Sequence, residues 1–309
     1  MMPNASAAAF ETPAARRRRE SLGLWLGLLG VVIFAMTFPM TRLAVGPLDA
    51  PQLSPLFVTA ARACGAGLLS LAYLRLSRAA RPDRDEFRRY AVCAAGTVIG
   101  FPLFVGLALR EVPAMHAAVV TGVLPLSTAL FAAWHLRQRP SPAFWACAGL
   151  GCALVIGFAV WQGGGAPVLA DLWLLLAVLS ASAGYVAGAQ LSVRRPAEHV
   201  ISWVLVGSLP STLPLTVWSW PQQPALPTAW AALGYVTVFS MWLGFFAWYR
   251  ALVIGGTVRV SQVQLVQPFL ALLMAVPILG EPLEPATVVF ALAVLATVLL
   301  GKRMPVQQA

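Results

Sequence analysis

Residue 62 is an arginine set in an apolar run, Phe57-Val58-Thr59-Ala60-Ala61-Arg62-Ala63-Cys64. A guanidinium stays charged at any ordinary pH and presents N–H donors in a planar fork that fits a carboxylate or phosphate. Buried among apolar neighbours, it either ties itself to carbonyls and hydroxyls or attracts the anionic group of a solute. Both readings stay open on sequence. Gln264 and Gln267 form a second polar set, three residues apart and hence on neighbouring faces of a helix, with Pro268 following directly. A proline within a helix frees a carbonyl and permits a bend. The amides and that carbonyl would hydrogen-bond a polar solute, or else join helices.

Thr121 and Pro125 repeat this arrangement earlier in the chain. Trp242, near Gly244, is the aromatic residue expected at a ligand, whereas Tyr235, Phe246 and Tyr249 on the same helical stripe fit packing or interfacial roles. His116 and Glu281 are the candidate proton-handling groups, with a packing histidine as the other reading of His116. His135 and His199 suggest nothing specific. Cys64, Cys93, Cys147 and Cys152 lack metal-ligand spacing and read as small packing residues. No catalytic set, metal site or cofactor motif is expected, and no phosphate-binding loop is present.

What must position these residues is dictated by composition. The 309 residues are 59% hydrophobic and 10% charged, against roughly 25% charged for a soluble domain. That excludes an ordinary cytosolic enzyme, a disordered chain and a secreted disulfide scaffold. Ten apolar segments fall at 22–44, 54–74, 88–109, 113–136, 142–160, 171–192, 200–218, 229–249, 257–279 and 285–301, each near the roughly 20 residues that cross a bilayer as a helix. The alternation of a membrane barrel is absent. The fold expected is an all-α polytopic membrane protein of ten transmembrane helices.

Charge then orients it. Arg16 to Arg19, the six arginines between Arg75 and Arg89, Arg137, Arg139, Arg194, Arg195, Arg250, Lys302 and Arg303 share one side of that arrangement, 17 of the 21 basic residues. By the positive-inside rule both termini are cytoplasmic, in a bacterial inner membrane. The net charge of +10 is therefore a topology signal, and no nucleic-acid partner is expected. The Arg16–Arg19 run precedes an apolar stretch too long for a signal peptide, so the first helix is expected to be retained. Arg62, eight residues past Ser54, lies about 12 Å into the bilayer at ~1.5 Å per residue. A charge so deep costs roughly 2.5–3.5 kcal/mol on insertion scales, and no apolar segment has an internal Asp or Glu to offset it, Asp171 standing at the very start of its segment.

A shift of 143 positions lays 104–142 on 247–285 with nine of 39 residues identical, among them Pro125 with Pro268, Leu136 with Leu279 and Pro142 with Pro285. Five helices per unit is an odd number, so the second copy starts on the opposite face, which makes an inverted-topology repeat. The expected layout is a disordered N-terminal tail at 1–21, one repeat at 22–160, a glycine-rich linker at 161–170, a second repeat at 171–303 and a C-terminal tail at 304–309. Gly149, Ala153 and Gly157 form a small-residue stripe suited to close packing within the bundle or to a homodimer contact.

Several runs carry a resemblance. Gln264-Leu265-Val266-Gln267-Pro268 with Leu279-Gly280-Glu281-Pro282-Leu283, Val123-Leu124-Pro125-Leu126, Arg62, and Tyr249-Arg250-Ala251-Leu252 resemble an EamA repeat. The chain is similar, over 22–303, to the EamA branch of the drug/metabolite transporter superfamily. Gln138 stands where that family commonly has Glu, so Glu281 lacks a matching carboxylate in the first repeat. The resemblance implies a metabolite exporter, often of amino acids. A small-molecule substrate at mid-membrane would meet Arg62, Thr121, Gln264, Gln267 and Trp242, with Pro125 and Pro268 as hinges. A cationic multidrug pump is the alternative carrier, though it needs a membrane-embedded carboxylate. A lipid-modifying enzyme is the alternative from another class. Its metal cluster would have to be Asp83, Asp85 and Glu86, which read instead as a solvated loop among arginines.

Overall fold

The computed structural model describes residues 13–135, 139–162, 168–192, 194–255, 263, 266–303 and 306–307. Apart from a two-residue antiparallel bridge between Arg139–Pro140 and Val306–Gln307, the described chain is helical. Six helices are long and apolar enough to cross a membrane: Ser21–Val45, Pro55–Leu76, Arg84–Ala108, Leu169–Ser192, Ala197–Trp218 and Pro227–Ala251. Four shorter apolar helices run over Ala114–Thr128, Trp145–Phe158, Gln267–Leu279 and Pro285–Thr297. The first helix begins at Pro13, earlier than the sequence suggested, because alanine and arginine favour helix ahead of the apolar run.

Several of these rods are interrupted. α1 (Pro13–Ala35) and α2 (Thr37–Val45) meet at Met36, ahead of Pro39. α3 (Pro55–Leu76) is started by Ser54, whose hydroxyl accepts the Phe57 N–H at 3.1 Å, with proline at the first position. The third rod runs as α4 (Phe87–Cys93), a π-helical stretch Ala94–Gly100 and α5 (Phe101–Ala108). The fourth breaks into α6 (Ala114–Thr121) and α7 (Leu124–His135). α8 (Pro142–Gln162), α9 (Leu169–Ser192) and α10 (Ala197–Trp218) are continuous. The next rod repeats the third: α11 (Pro227–Tyr235), a π-helical stretch Val236–Leu243, then α12 (Gly244–Gly255). α13 (Gln267–Leu279) and α14 (Pro285–Arg303) complete the chain.

The interior is mostly apolar, but unlike a soluble protein the exterior is apolar too. Leu68, Leu175, Leu213, Leu273 and Leu292 point outward, roughly half exposed, while Thr59, Arg62, Ser70, Ser182, Ser202 and Ser240 are buried. In a bilayer the polar groups gather where other helices can satisfy them. Close packing is made by glycines. A Cβ on Gly96 would lie 2.8 Å from the Gly184 backbone N and press on the Ser180 carbonyl, so the third rod and α9 touch backbone to backbone. The Gly149, Ala153 and Gly157 stripe is exposed on α8, and a Cβ on either glycine would meet nothing within 4 Å. It faces outward rather than into the bundle.

Candidate functional site

The Ser54 cap fixes the register of α3, and eight residues on that register carries Arg62 into the interior at 3% exposure. Its Nη2 donates to the Ser240 hydroxyl at 3.0 Å, and Ser240 shares a further hydrogen bond with Thr37 at 2.8 Å. The Arg62 Nε is buried without a hydrogen-bond partner. The guanidinium borders a cavity whose empty space, counted out to its open mouth, is about 1020 Å³. Helices from the beginning, middle and end of the chain surround it, so its shape depends on how they sit together.

Thr121, Gln267 and Pro268 line the same cavity as Arg62. Three of the five expected substrate contacts are thus brought together, with one of the expected hinge prolines. The prolines do not bend a continuous helix, as the sequence reading supposed. Leu124-Pro125 and Gln267-Pro268 each open a new helical segment, and among described residues the first break falls at Gly122–Val123. A proline in the first turn costs no hydrogen bond, since its missing N–H would be unpaired there. Gln264 lies outside the described residues.

Trp242 is not among the residues lining this cavity. Its ring packs on Phe246 with centroids 5.2 Å apart, on the apolar cluster of Ile201, Leu205, Met241 and Phe245, and its buried Nε1 has no partner. Ser240, Met241 and Phe245 face the cavity in its place. The reason is the π-helical stretch Val236–Leu243, which inserts an extra residue into the turn and rotates everything beyond it. The single aromatic stripe read at helical spacing is split by it. Tyr235, before the stretch, donates to the Ile33 carbonyl at 3.1 Å, while Trp242, Phe246 and Tyr249 pack elsewhere.

Thr37, Thr97 and Ser240 were missed as cavity residues. Thr97 and Ser240 lie in the two π-helical stretches and are 143 positions apart, the offset that pairs Pro125 with Pro268. Applying that offset to hydroxyl residues would have found them. The hydroxyl hydrogens of Thr97 and Thr121 already bond to the Cys93 and Ala117 carbonyls, at 2.6 and 2.7 Å. Apart from the phenol of Tyr185 the rest of the cavity wall is apolar, with Phe34, Phe38, Phe101 and Phe245 among its members, and no acidic residue lines it among those described.

His116 and Glu281 lie apart from the cavity, at the end of the bundle where α6 begins. The Glu281 carboxylate accepts the Ala114 and Met115 backbone N–H groups at 2.7 and 2.9 Å, a charged cap on α6 supplied from across the chain. Gly280, at φ +69°, ends α13 in the left-handed conformation and turns the chain toward that contact. Arg42 donates to the Leu109 carbonyl nearby. His116 Nε2 and Asp171 Oδ1 are 2.6 Å apart, both well buried, and join α6 to α9. A more open recess at this end is bordered by Arg42, Asp49, Arg110, Glu111 and His116.

At the opposite end Asp83 and Asp85 are exposed, as a solvated loop would have them, whereas Glu86 is buried. Arg195 Nη2 meets Asp83 at 2.9 Å and its Nε meets Glu86 at 2.9 Å, while Arg194 meets Asp85 at 3.3 Å on the surface. Glu86 is 1% exposed. Burial alone would lower the Arg195 guanidinium, but the hydrogen bond and charge of Glu86 outweigh it and hold it above its ordinary value. These carboxylates are committed to arginine, and no group of acidic, histidine or cysteine residues is arranged for a metal among those described.

Similar proteins agree with this architecture. A sequence profile of the EamA-like transporter family matches residues 21–160 and again 168–301. The chain is 42% identical over 288 residues to the Uncharacterized transporter YdeK of Bacillus subtilis, covering 90% of this chain and 96% of that one. It is 24% identical over 253 residues to the Uncharacterized transporter sll0355 of Synechocystis, covering 75% and 76%. A solved crystal structure superimposes with a TM-score of 0.60 over 91% of this chain and 96% of its own, at 17% identity, a likeness of fold alone. With apolar helices throughout and two matches to one transporter profile, the chain belongs to the EamA-like transporter family of the drug/metabolite transporter superfamily, a multi-pass membrane transporter and not an enzyme.

Proposed function

We propose that the chain is a secondary carrier of the bacterial cytoplasmic membrane that exports a small polar metabolite bearing a carboxylate, such as an amino acid, by alternating access. The observation that carries this is Arg62, a buried charge held by one hydroxyl at the edge of a cavity, with a donor to spare. Arg62, Thr121 and Gln267 hold the substrate, and Gln264 joins them. Pro125 and Pro268 mark the places where the wall changes shape.

Ten spans form two five-helix units of opposite orientation, 22–160 and 171–303. This reading is supported by the two profile matches and by helix starts at a constant offset of 143: Phe101 with Gly244, Leu124 with Gln267, Pro142 with Pro285. The cluster of 17 basic residues supports cytoplasmic termini. His116 with Asp171 is the better placed proton-handling pair, since Glu281 is spent as a helix cap. A cationic drug is disfavoured as cargo, because Arg62 would repel it and no carboxylate is there to receive it.

Reconstitution into liposomes tests the carrier. Efflux from loaded vesicles of at least one member of an amino-acid and organic-acid panel is expected, and none across the whole panel would sink the reading. Repeating the assay with and without a pH gradient separates proton coupling from facilitated diffusion.

A further inference from the structure

We infer that the cargo carries one net negative charge on an apolar, aromatic-sized body, an amphipathic monocarboxylate rather than a zwitterion. This rests on the carrier reading above, with a cargo carboxylate at Arg62, and narrows its substrate class from amino acids to acids without an ammonium. The ledger of charge around the cavity is simple. Arg62 is 3% exposed, its Nη2 is spent on Ser240, and its buried Nε has no partner. No Asp or Glu lines the cavity among the described residues. The cavity therefore presents an uncompensated positive charge in surroundings of low polarity, where an unpaired charge is most costly.

A monocarboxylate cancels that charge and supplies acceptors to the guanidinium. A zwitterion brings the same carboxylate with an ammonium a few ångströms away, which Arg62 repels and no acidic side chain receives. It leaves the cavity as charged as before. A cation doubles the charge. The ranking of ligands by this site is anion, then zwitterion, then cation. The body of the ligand follows from the remaining wall: Phe34, Phe38, Phe101, Phe245 and Met241 offer aromatic and thioether faces to an aryl or branched group. Thr97 and Thr121, whose hydrogens already bond to carbonyls, present lone pairs only. They accept from a hydroxyl or an ammonium alike, so net charge and not hydrogen bonding ranks the two ligands.

The test uses the unaltered full-length protein in lipid nanodiscs and three probes that share one body and differ in charge: 3-phenylpropanoate, phenylalanine and phenethylamine at neutral pH. Binding is read by the shift of the thermal unfolding midpoint and by calorimetry. The expected result is saturable stabilisation by 3-phenylpropanoate, binding at least about tenfold weaker for phenylalanine, and none for the amine. In Arg62→Lys the order is kept at lower affinity, and in Arg62→Leu the preference for the anion is lost. Phenylalanine binding as tightly as 3-phenylpropanoate, or binding of the amine, overturns the inference. So does failure of all three probes to bind. The carrier reading falls separately, only if the liposome panel shows no efflux, so the two failures are distinguishable.

Discussion

Two arginines of this transporter live under opposite rules. Arg195, at the end of the bundle with most of the positive charge, is matched by Asp83 and Glu86 and also donates to the Ala80 carbonyl. Arg62, deep in the interior, has the Ser240 hydroxyl. The first is a fully answered charge, and it ties two distant loops together. The second is an unanswered one beside open space. A folded protein keeps an unanswered buried charge only where something else repays its cost, and in a carrier that is the cargo.

Four substitutions break or sharpen this contrast. Arg62→Leu has the largest effect: efflux is expected to fall at least about 100-fold while the thermal midpoint holds or rises, since removing an unsatisfied buried group relieves roughly 1–3 kcal/mol. Loss of folded protein in step with flux would assign Arg62 to structure. Arg195→Met does the reverse. It leaves Glu86 buried and unpaired, at a cost of about 3–5 kcal/mol, and chemical denaturation should show that loss, with transport per folded molecule changed far less. Gly96→Ala forces a methyl against α9 and should cost roughly 1–3 kcal/mol, read as a lower melting temperature. Glu281→Gln removes the charge of the α6 cap and replaces one of its two accepting oxygens with an amide donor, a loss of roughly 1–2 kcal/mol. Scanning calorimetry that finds Glu281→Gln more harmful than Arg195→Met would invert the comparison.

The membrane class and the importance of Arg62 were legible in the sequence because both are violations: too few charges overall, and one charge where none belongs. The cavity hydroxyls were not, since Thr37, Thr97 and Ser240 look like any small polar residue of a buried helix. Trp242 was misplaced because spacing assumes a uniform helix, and the π-helical stretch from Val236 to Leu243 breaks that assumption. The pairs Arg195 with Glu86 and His116 with Asp171 join residues 109 and 55 positions apart, and nothing in either local sequence names the other. What a residue is can be read locally, but what answers it comes from the fold.

The isolation of Arg62 also bears on how voltage would act on the cycle. With an anion bound, the cavity is neutral, and the loaded carrier can change its opening without moving charge through the membrane field. After release the empty cavity is left positive, and its return toward a negative interior runs with the field, which is worth about 2.3 kcal/mol per unit charge carried across 100 mV. The same lone guanidinium that selects the cargo would then make the membrane potential the force that resets the empty carrier.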